Sequence, residues 1–297
     1  MKIFAIIVTF NGKKWYDKCI GGLLNSTIPV RIVVVDNNSS DGTVEYISSH
    51  YNSVYIVENK ENLGFAKANN IGIQYAMEND ADYVFLLNQD AWVEENTIEL
   101  LLKTFSDNDG VGIASPIHLN GSYSGLDSGF CNYVGVACIS DIYMNKLKPY
   151  YEVTFVNAAA WLISSECIMK VGGFDTSLFR HYGEDDNYAQ RVYYHNMRII
   201  VNTLCTICHD REQRKVSPAT SSFNTSDPFF YDRNQKGNIL QNYDSQQVIR
   251  RKRKLFLLAC LGLYHKKAGQ LKREIEFEKQ VAKSREINIK GGLAWLT

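Results

Sequence analysis

Asn88 and Asp90 place an amide and a carboxylate two residues apart, at the end of the apolar run Leu86–Leu87. Oxygen ligands at that spacing suit a hard divalent cation, which keeps open positions for substrate phosphates. The structural alternative is an Asx turn closing a core strand. A second group, Glu184-Asp185-Asp186, follows Gly183 where a helix is expected to begin. Adjacent carboxylates perturb one another's proton affinities, although a helix N-terminus favours negative charge for structural reasons alone. His209 closes the segment Cys205-Thr-Ile-Cys208-His209. That pattern matches covalent haem attachment. Its cysteines, however, lie in the apolar run 198–208, where Cys serves as a small hydrophobe.

The elements that must position these groups follow from hydrophobic periodicity. IFAIIVTF (3–10), RIVVVD (31–36), VYIV (54–57) and DYVFLL (82–87) are short β-branched or aromatic runs. Segments with helical spacing or capping residues separate them, at about 14–26, 43–49 and 64–79. Strand–helix alternation with nearly continuous apolar strands predicts an α/β fold with a mainly parallel central sheet covered on both faces. Ligands bind such sheets beyond the carboxyl ends of the strands. That rule lines up Thr9–Asn11, Asp36–Asn38, Asn62–Lys67 and Asn88–Asp90 on one rim. Farther along, 110–119 reads as a strand, 120–150 as hairpins or loops, and 164–171 and 183–194 as helices.

Bulk properties exclude several classes. A 45% hydrophobic and 22% charged composition is that of a folded globular chain. Lys+Arg and Asp+Glu both number 32, so no global charge argues for nucleic acid. Seven scattered cysteines fit a reducing compartment. With no cleavage site after the first apolar run and no stretch long enough to span a bilayer, a cytoplasmic protein is expected.

Four ordered blocks, IIVTFNG (6–12), VVVDNNSSDGT (33–43), ENLGFAKANNIGI (61–73) and FLLNQDAWVE (85–94), resemble the inverting GT-A glycosyltransferases of family 2. A fifth, from Phe155 to Arg191, is similar to that family's acceptor-side block with its Glu-Asp motif. The resemblance covers roughly residues 3–215. It implies a GT-A fold and a nucleotide-diphosphate sugar donor whose nucleoside is held by Thr9, Asn11 and Asp36. Asn62, Gly64 and Lys67 match the donor-facing loop; a solvated helix lysine is the alternative at Lys67. Asn88 and Asp90 match the family's Asp-x-Asp metal motif, with Asn at its first position. Asp90 is then the expected ligand, joined by His209 around Mn2+ or Mg2+, and Asn88 meets the ion, its water or the donor. Asp185 is the expected general base and Glu184 its acceptor-binding neighbour. Trp161 is expected against the donor sugar or acceptor, with a core position as the alternative. Arg191 could meet phosphate or form an ion pair.

The expected organisation is a catalytic domain over 1–215, a loop or linker over 216–245 and a helical extension over 246–297. RRKRK (250–254) beside LFLLACLGLY suggests peripheral membrane contact through 250–264, or packing on the domain or on a partner such as a second copy. The branch most resembled is rhamnosyltransferase-like, implying dTDP-rhamnose first and UDP-sugars second, with a glycan or lipid-linked acceptor in cell-surface polysaccharide synthesis. Two rivals remain. A nucleotidyltransferase would need a Gly-rich triphosphate loop that TFNGKKW does not supply, and a non-catalytic nucleotide-sugar-binding module would leave Asp90, Asp185 and His209 without a task.

Overall fold

A computed structural model describes residues 1–179, 182–211 and 229–296. Strands β1 (Ile3–Thr9), β2 (Arg31–Asp36), β3 (Tyr55–Glu58) and β4 (Tyr83–Asn88) lie in parallel, in the order β3-β2-β1-β4. The register sets Thr9 beside Asp36 and Val8 beside Asn88, so the strand ends form one rim. Beyond β4 the nine-stranded sheet becomes mixed. Strand β8 (Ala160–Ser164) runs antiparallel between β4 and β6 (Val111–Asn120). Strand β9 (Arg198–His209) is parallel to β6, and it carries β5 (Ala91–Val93) and β7 (Tyr150–Glu152) antiparallel.

Alternation along each strand sends successive side chains to opposite faces. Phe4 and Ile6 join Val33, Val35, Val84 and Leu86 beneath α3 (Gly64–Glu78), α7 (Ser165–Val171) and α8 (Glu184–Tyr194). Ile3, Ala5 and Ile7 join Ile32, Val34 and Leu87 beneath α1 (Tyr16–Leu24), α2 (Thr43–His50) and α4 (Thr97–Asp107). At Gly72 on α3 an added Cβ would lie 2.3 Å from Ile6 Cγ2. Gly72→Ala should therefore cost about 1–3 kcal/mol through overpacking, read as a lower denaturant midpoint with an unchanged slope.

Two expectations change here. The stretch expected to be hairpins or loops contains α5 (Ser128–Tyr133), capped by Asp127 accepting from Phe130 N, and α6 (Val136–Tyr143). The segment 216–245, expected as a linker, lies partly outside the described residues; its described part holds α9 (Phe230–Gly237).

Next come α10 (Ser245–Leu261) and α11 (His265–Lys290), joined by three residues. Buried Glu278 on α11 ties the hairpin to α9 and to the segment before α10, accepting from Lys236 Nζ at 2.9 Å and Tyr243 OH at 2.6 Å. Helix α11 packs on the sheet-bearing core rather than beside it. Phe277 and Val281 meet Leu178 and Phe179 in the segment that leads to α8. The buried Asp175 carboxylate accepts from Ser177 N, Leu178 N, Asn288 Nδ2 and Ser284 Oγ. Gly173 N donates to Ala294 O at 2.9 Å.

Candidate functional site

Pairing of β5 with β9 sets His209 opposite Ala91, one residue past Asp90. His209 Nε2 consequently lies 3.6 Å from Asp90 Oδ1 and 3.3 Å from Asn88 Nδ2. Asp90 and His209 are both nearly fully buried. On the imidazole's other side, Nδ1 lies 3.6 Å from Asp127 Oδ2, and Arg211 Nε lies 3.0 Å from the same carboxylate. At 3.6 Å Asp127 is a charged neighbour of the ring rather than its hydrogen-bond partner; Arg211 Nε, held by that carboxylate, donates to Nδ1 at 3.3 Å, so Asp127 bears on the imidazole through Arg211. Among the described residues no three His, Cys, Asp or Glu side chains converge as a ready-made cation cage. Two such ligands and a neighbouring amide nonetheless fit an ion completed by substrate phosphate, and an imidazole suits Mn2+ better than Mg2+.

The carboxylates of α8 form the second half of the site. Gly183 precedes them at φ 88°, a left-handed conformation that glycine adopts without strain, and a Cβ there would meet Asn234 Oδ1 at 2.4 Å. Glu184 is 6% exposed, and its Oε2 has no hydrogen-bond partner among the described residues. Asp185 is partly exposed and accepts from Asp186 N at 2.9 Å and Ala158 N at 3.5 Å. Burial raises both carboxyls above their ordinary values; at Glu184 the rise is the larger, and the Asp185 charge adds to it. Glu184, the more buried and the more strongly raised, is therefore the member that favours holding a proton, and the partly exposed Asp185 the one that favours the anion.

The two halves meet through a single dipeptide. Ala158 N reaches Asp185, while Ala159 O accepts from Asn88 N at 2.9 Å. Tyr133 on α5 is influenced by both. Its phenol is raised by burial first and then by Asp185, with smaller effects from Arg211, Asp127 and Asp186.

Other expected donor contacts separate into those on the rim and those turned inward. Asn11 is exposed on the rim, whereas Asp36, at the end of its strand, is buried with both oxygens engaged by Ser39. Asn11 Oδ1 accepts from Ser40 N at 2.8 Å, and Asp36 accepts from Ser39 N and Ser39 Oγ, so the first two strand-end loops interlock. Asn62 Oδ1 caps Gly64 N at 2.9 Å, and Gly64 turns the chain at φ 82°. Asn62 and Lys67 border a cleft of about 360 Å³ together with Thr176 and Phe179 from the segment before α8.

Thr9 is turned inward. Continuing the inward face of Ile3, Ala5 and Ile7, it is fully buried, receives Tyr16 OH and donates to Gln89 Oε1 at 2.8 Å. Trp161 is likewise a core residue. It is fully buried, stacks on Phe174 and donates Nε1 to Val156 O. Arg191 is not available to phosphate, because its buried guanidinium binds Asn187 Oδ1, Val171 O and Gly173 O. The haem-like cysteines are buried in β9, where burial pushes both thiols up to about 12.

Sequence reasoning passed over three residues. Asp127 sits behind His209, and its cap position before α5 was the one available signal. Gln89, the middle residue of Asn-x-Asp, clamps the end of β1 through Thr9 Oγ1 and Phe10 N. Asn70 bridges α3 to the backbone of Phe174 and Trp295.

One half-site suited to a charged leaving group and one suited to an incoming hydroxyl, together on the carboxyl rim of a mixed α/β sheet, define the GT-A class. The fold agrees with solved structures of that kind. It is similar to Staphylococcus aureus TarS in complex with UDP-GlcNAc, with a TM-score of 0.52 at 18% identity over 81% of this chain and 67% of that one. It is also similar to GalNAc-T7 with UDP, GalNAc and Mn2+, with a TM-score of 0.58 at 16% identity over 71% and 44%.

Residues 4–134 match the family described as glycosyl transferase family 2. Among curated relatives, it is 28% identical to the dTDP-rhamnosyl transferase RfbF of Shigella flexneri over 181 residues, 61% of this chain and 60% of that protein. It is 25% identical to the glycosyltransferase GlyA of Streptococcus pneumoniae serotype 4, over 67% of this chain and 29% of that protein. The chain thus spans less than two thirds of the length of these relatives.

Burial of Glu184 has a measurable consequence. Its carboxyl is raised on folding, so across the window between its ordinary and raised values the folded state holds more protons than the unfolded state. Stability of the native protein should fall as pH rises through that window. Glu184→Gln removes the ionisable group and should gain about 1–3 kcal/mol at pH 8. The gain should vanish near pH 4, where the wild-type side chain is protonated too. Thermal melts of both proteins at the two pH values measure the difference.

Proposed function

We propose that this protein transfers a sugar, with inversion, from a nucleotide-diphosphate donor to a hydroxyl of a glycan or lipid-linked glycan. The observation that carries the reading is the placement of Asp90 and His209 on one side of the Ala158–Ala159 step and of Asp185 on the other. The rim loops around Asn11 and Asp36 receive the nucleoside. Asp90 and His209, with Asn88 beside them, would hold a divalent ion, Mn2+ or Mg2+. When bound, such an ion supplies Lewis-acid stabilisation of the departing diphosphate charge.

Asp185 accepts the proton of the acceptor hydroxyl as that oxygen bonds to the anomeric carbon. The bond from that carbon to the diphosphate oxygen breaks, and the nucleoside diphosphate leaves with the electron pair. Glu184, holding its own proton, keeps the neighbouring negative charge on Asp185. Similarity to RfbF favours dTDP-rhamnose as donor, with UDP-sugars second, in cell-surface polysaccharide synthesis.

A thermal-shift screen of nucleotide sugars with and without Mn2+ tests the donor. Binding to the native state raises the melting temperature by mass action, about 2.7 kcal/mol at a hundredfold excess over Kd. dTDP-rhamnose should shift the melt more than UDP-glucose or UDP-GlcNAc, and more with Mn2+ than without. No shift with any nucleotide sugar would defeat the proposal. A larger shift with a UDP-sugar would replace the donor and leave the reaction class in place.

A further inference from the structure

The hairpin of α10 and α11 ends in a surface that the protein itself does not cover. Leu257, Leu258 and Leu261 on α10 are 61%, 63% and 82% exposed, and Leu263 and Tyr264 in the connection are 73% and 68% exposed. These side chains are not needed to hold the hairpin together. The inner face of α10 is made by Ile249 and Ala259, which are buried, and by Lys252, which pairs with Glu274 at 3.1 Å.

Charge is segregated along the same segment. Residues 245–273 contain nine Lys or Arg and no Asp or Glu, in a chain whose totals balance at 32 each. On α10 the exposed Arg250, Lys254, Leu257, Leu258 and Leu261 recur at helical spacing, so one outward stripe passes from cationic to apolar toward the tip. Lys266 and Lys267, also exposed, continue the cationic collar on the other side of the connection.

An apolar cap behind a cationic collar matches an anionic bilayer, where leucines enter the acyl boundary and Lys and Arg remain at the headgroups. No helix among the described residues is long and apolar enough to cross a membrane. We infer that residues 250–267 form a surface anchor that docks the protein on anionic lipid. Docking this tip would hold the protein where a lipid-linked acceptor is carried; that consequence rests on the proposed function, whereas the docking does not.

Co-sedimentation with vesicles tests the anchor directly. The wild type should pellet with phosphatidylcholine vesicles containing about 30 mol % phosphatidylglycerol, pellet poorly with pure phosphatidylcholine, and release partly in high salt. The triple change Leu257→Ser, Leu258→Ser, Leu261→Ser should weaken binding at least about tenfold, as should Arg250→Gln, Arg251→Gln, Arg253→Gln, Lys254→Gln. These positions are exposed, so circular dichroism and the melting temperature should remain those of the wild type, and transfer to a soluble acceptor should persist. Equal binding to both vesicle types, or unchanged binding by the leucine variant, overturns the inference. So does a dimer in light scattering that the leucine changes dissolve while the wild type ignores vesicles, because the tip would then meet a second copy. Loss of transfer with vesicle binding intact would count against the functional reading alone.

Discussion

Asp185→Asn should reduce sugar transfer by about a thousandfold while leaving donor binding within about twofold of the wild type. General-base catalysis contributes roughly 10²–10⁴-fold, and an amide of the same shape cannot accept the acceptor's proton at neutral pH. The Asn oxygen can keep the shorter of the two hydrogen bonds that Asp185 receives, from Asp186 N at 2.9 Å, and only the long one from Ala158 N at 3.5 Å is lost, so the fold should survive. The pH profile provides a second readout. Asp185 is raised by burial and must be ionised to act, so wild-type transfer should fall as pH drops through that raised value. The variant should have lost this acid limb along with the activity. A variant transferring at the native rate would remove Asp185 from its assigned role.

Asp90→Ala should abolish metal-dependent donor binding. Among the described residues Asp90 is the carboxylate beside His209 Nε2, and the neighbouring Asn88 amide brings no charge. Manganese affinity, measured by titration in the presence of nucleoside diphosphate, should fall at least about a hundredfold. Asp127→Asn should cost less, about 10–100-fold, because it loosens Arg211, the donor to His209 Nδ1, rather than a ligand itself. If Asp90→Ala binds donor with undiminished response to Mn2+, the ion does not sit between β4 and β9.

The parallel half of this fold was legible because β1, β2 and β4 are continuous β-branched runs separated by periodic helices. Their ends alone placed Asp36, Asn88 and Asp90 on a rim. The antiparallel half was not. Strand β5 has three residues, and β8 begins inside the small-residue run Asn157–Ala160, where neither length nor alternation stands out. Without β8 nothing shows that Trp161 points into the core, and without the β5–β9 register the approach of His209 to Asp90 rests on resemblance alone. Thr9 could have been read differently, since strict alternation from Ile3 already assigns it to the buried face. Asp127 and Asn70 act across 82 and 104 residues of sequence, toward His209 and Phe174 respectively, and no local pattern announces such partners. Residues 212–228, which border both His209 and α9 in sequence, lie outside the described residues.

The staple made by α11 bears on how the working enzyme comes into being. Asp175 is held by Ser284 and Asn288, Gly173 by Ala294, and Asn70 by Trp295. Chains emerge from the ribosome N-terminus first and fold largely as they appear. The nucleotide-side strands can thus assemble while the platform under the base helix still awaits residues 284–296. The seat of α8 is therefore completed later in synthesis than the parallel strands are.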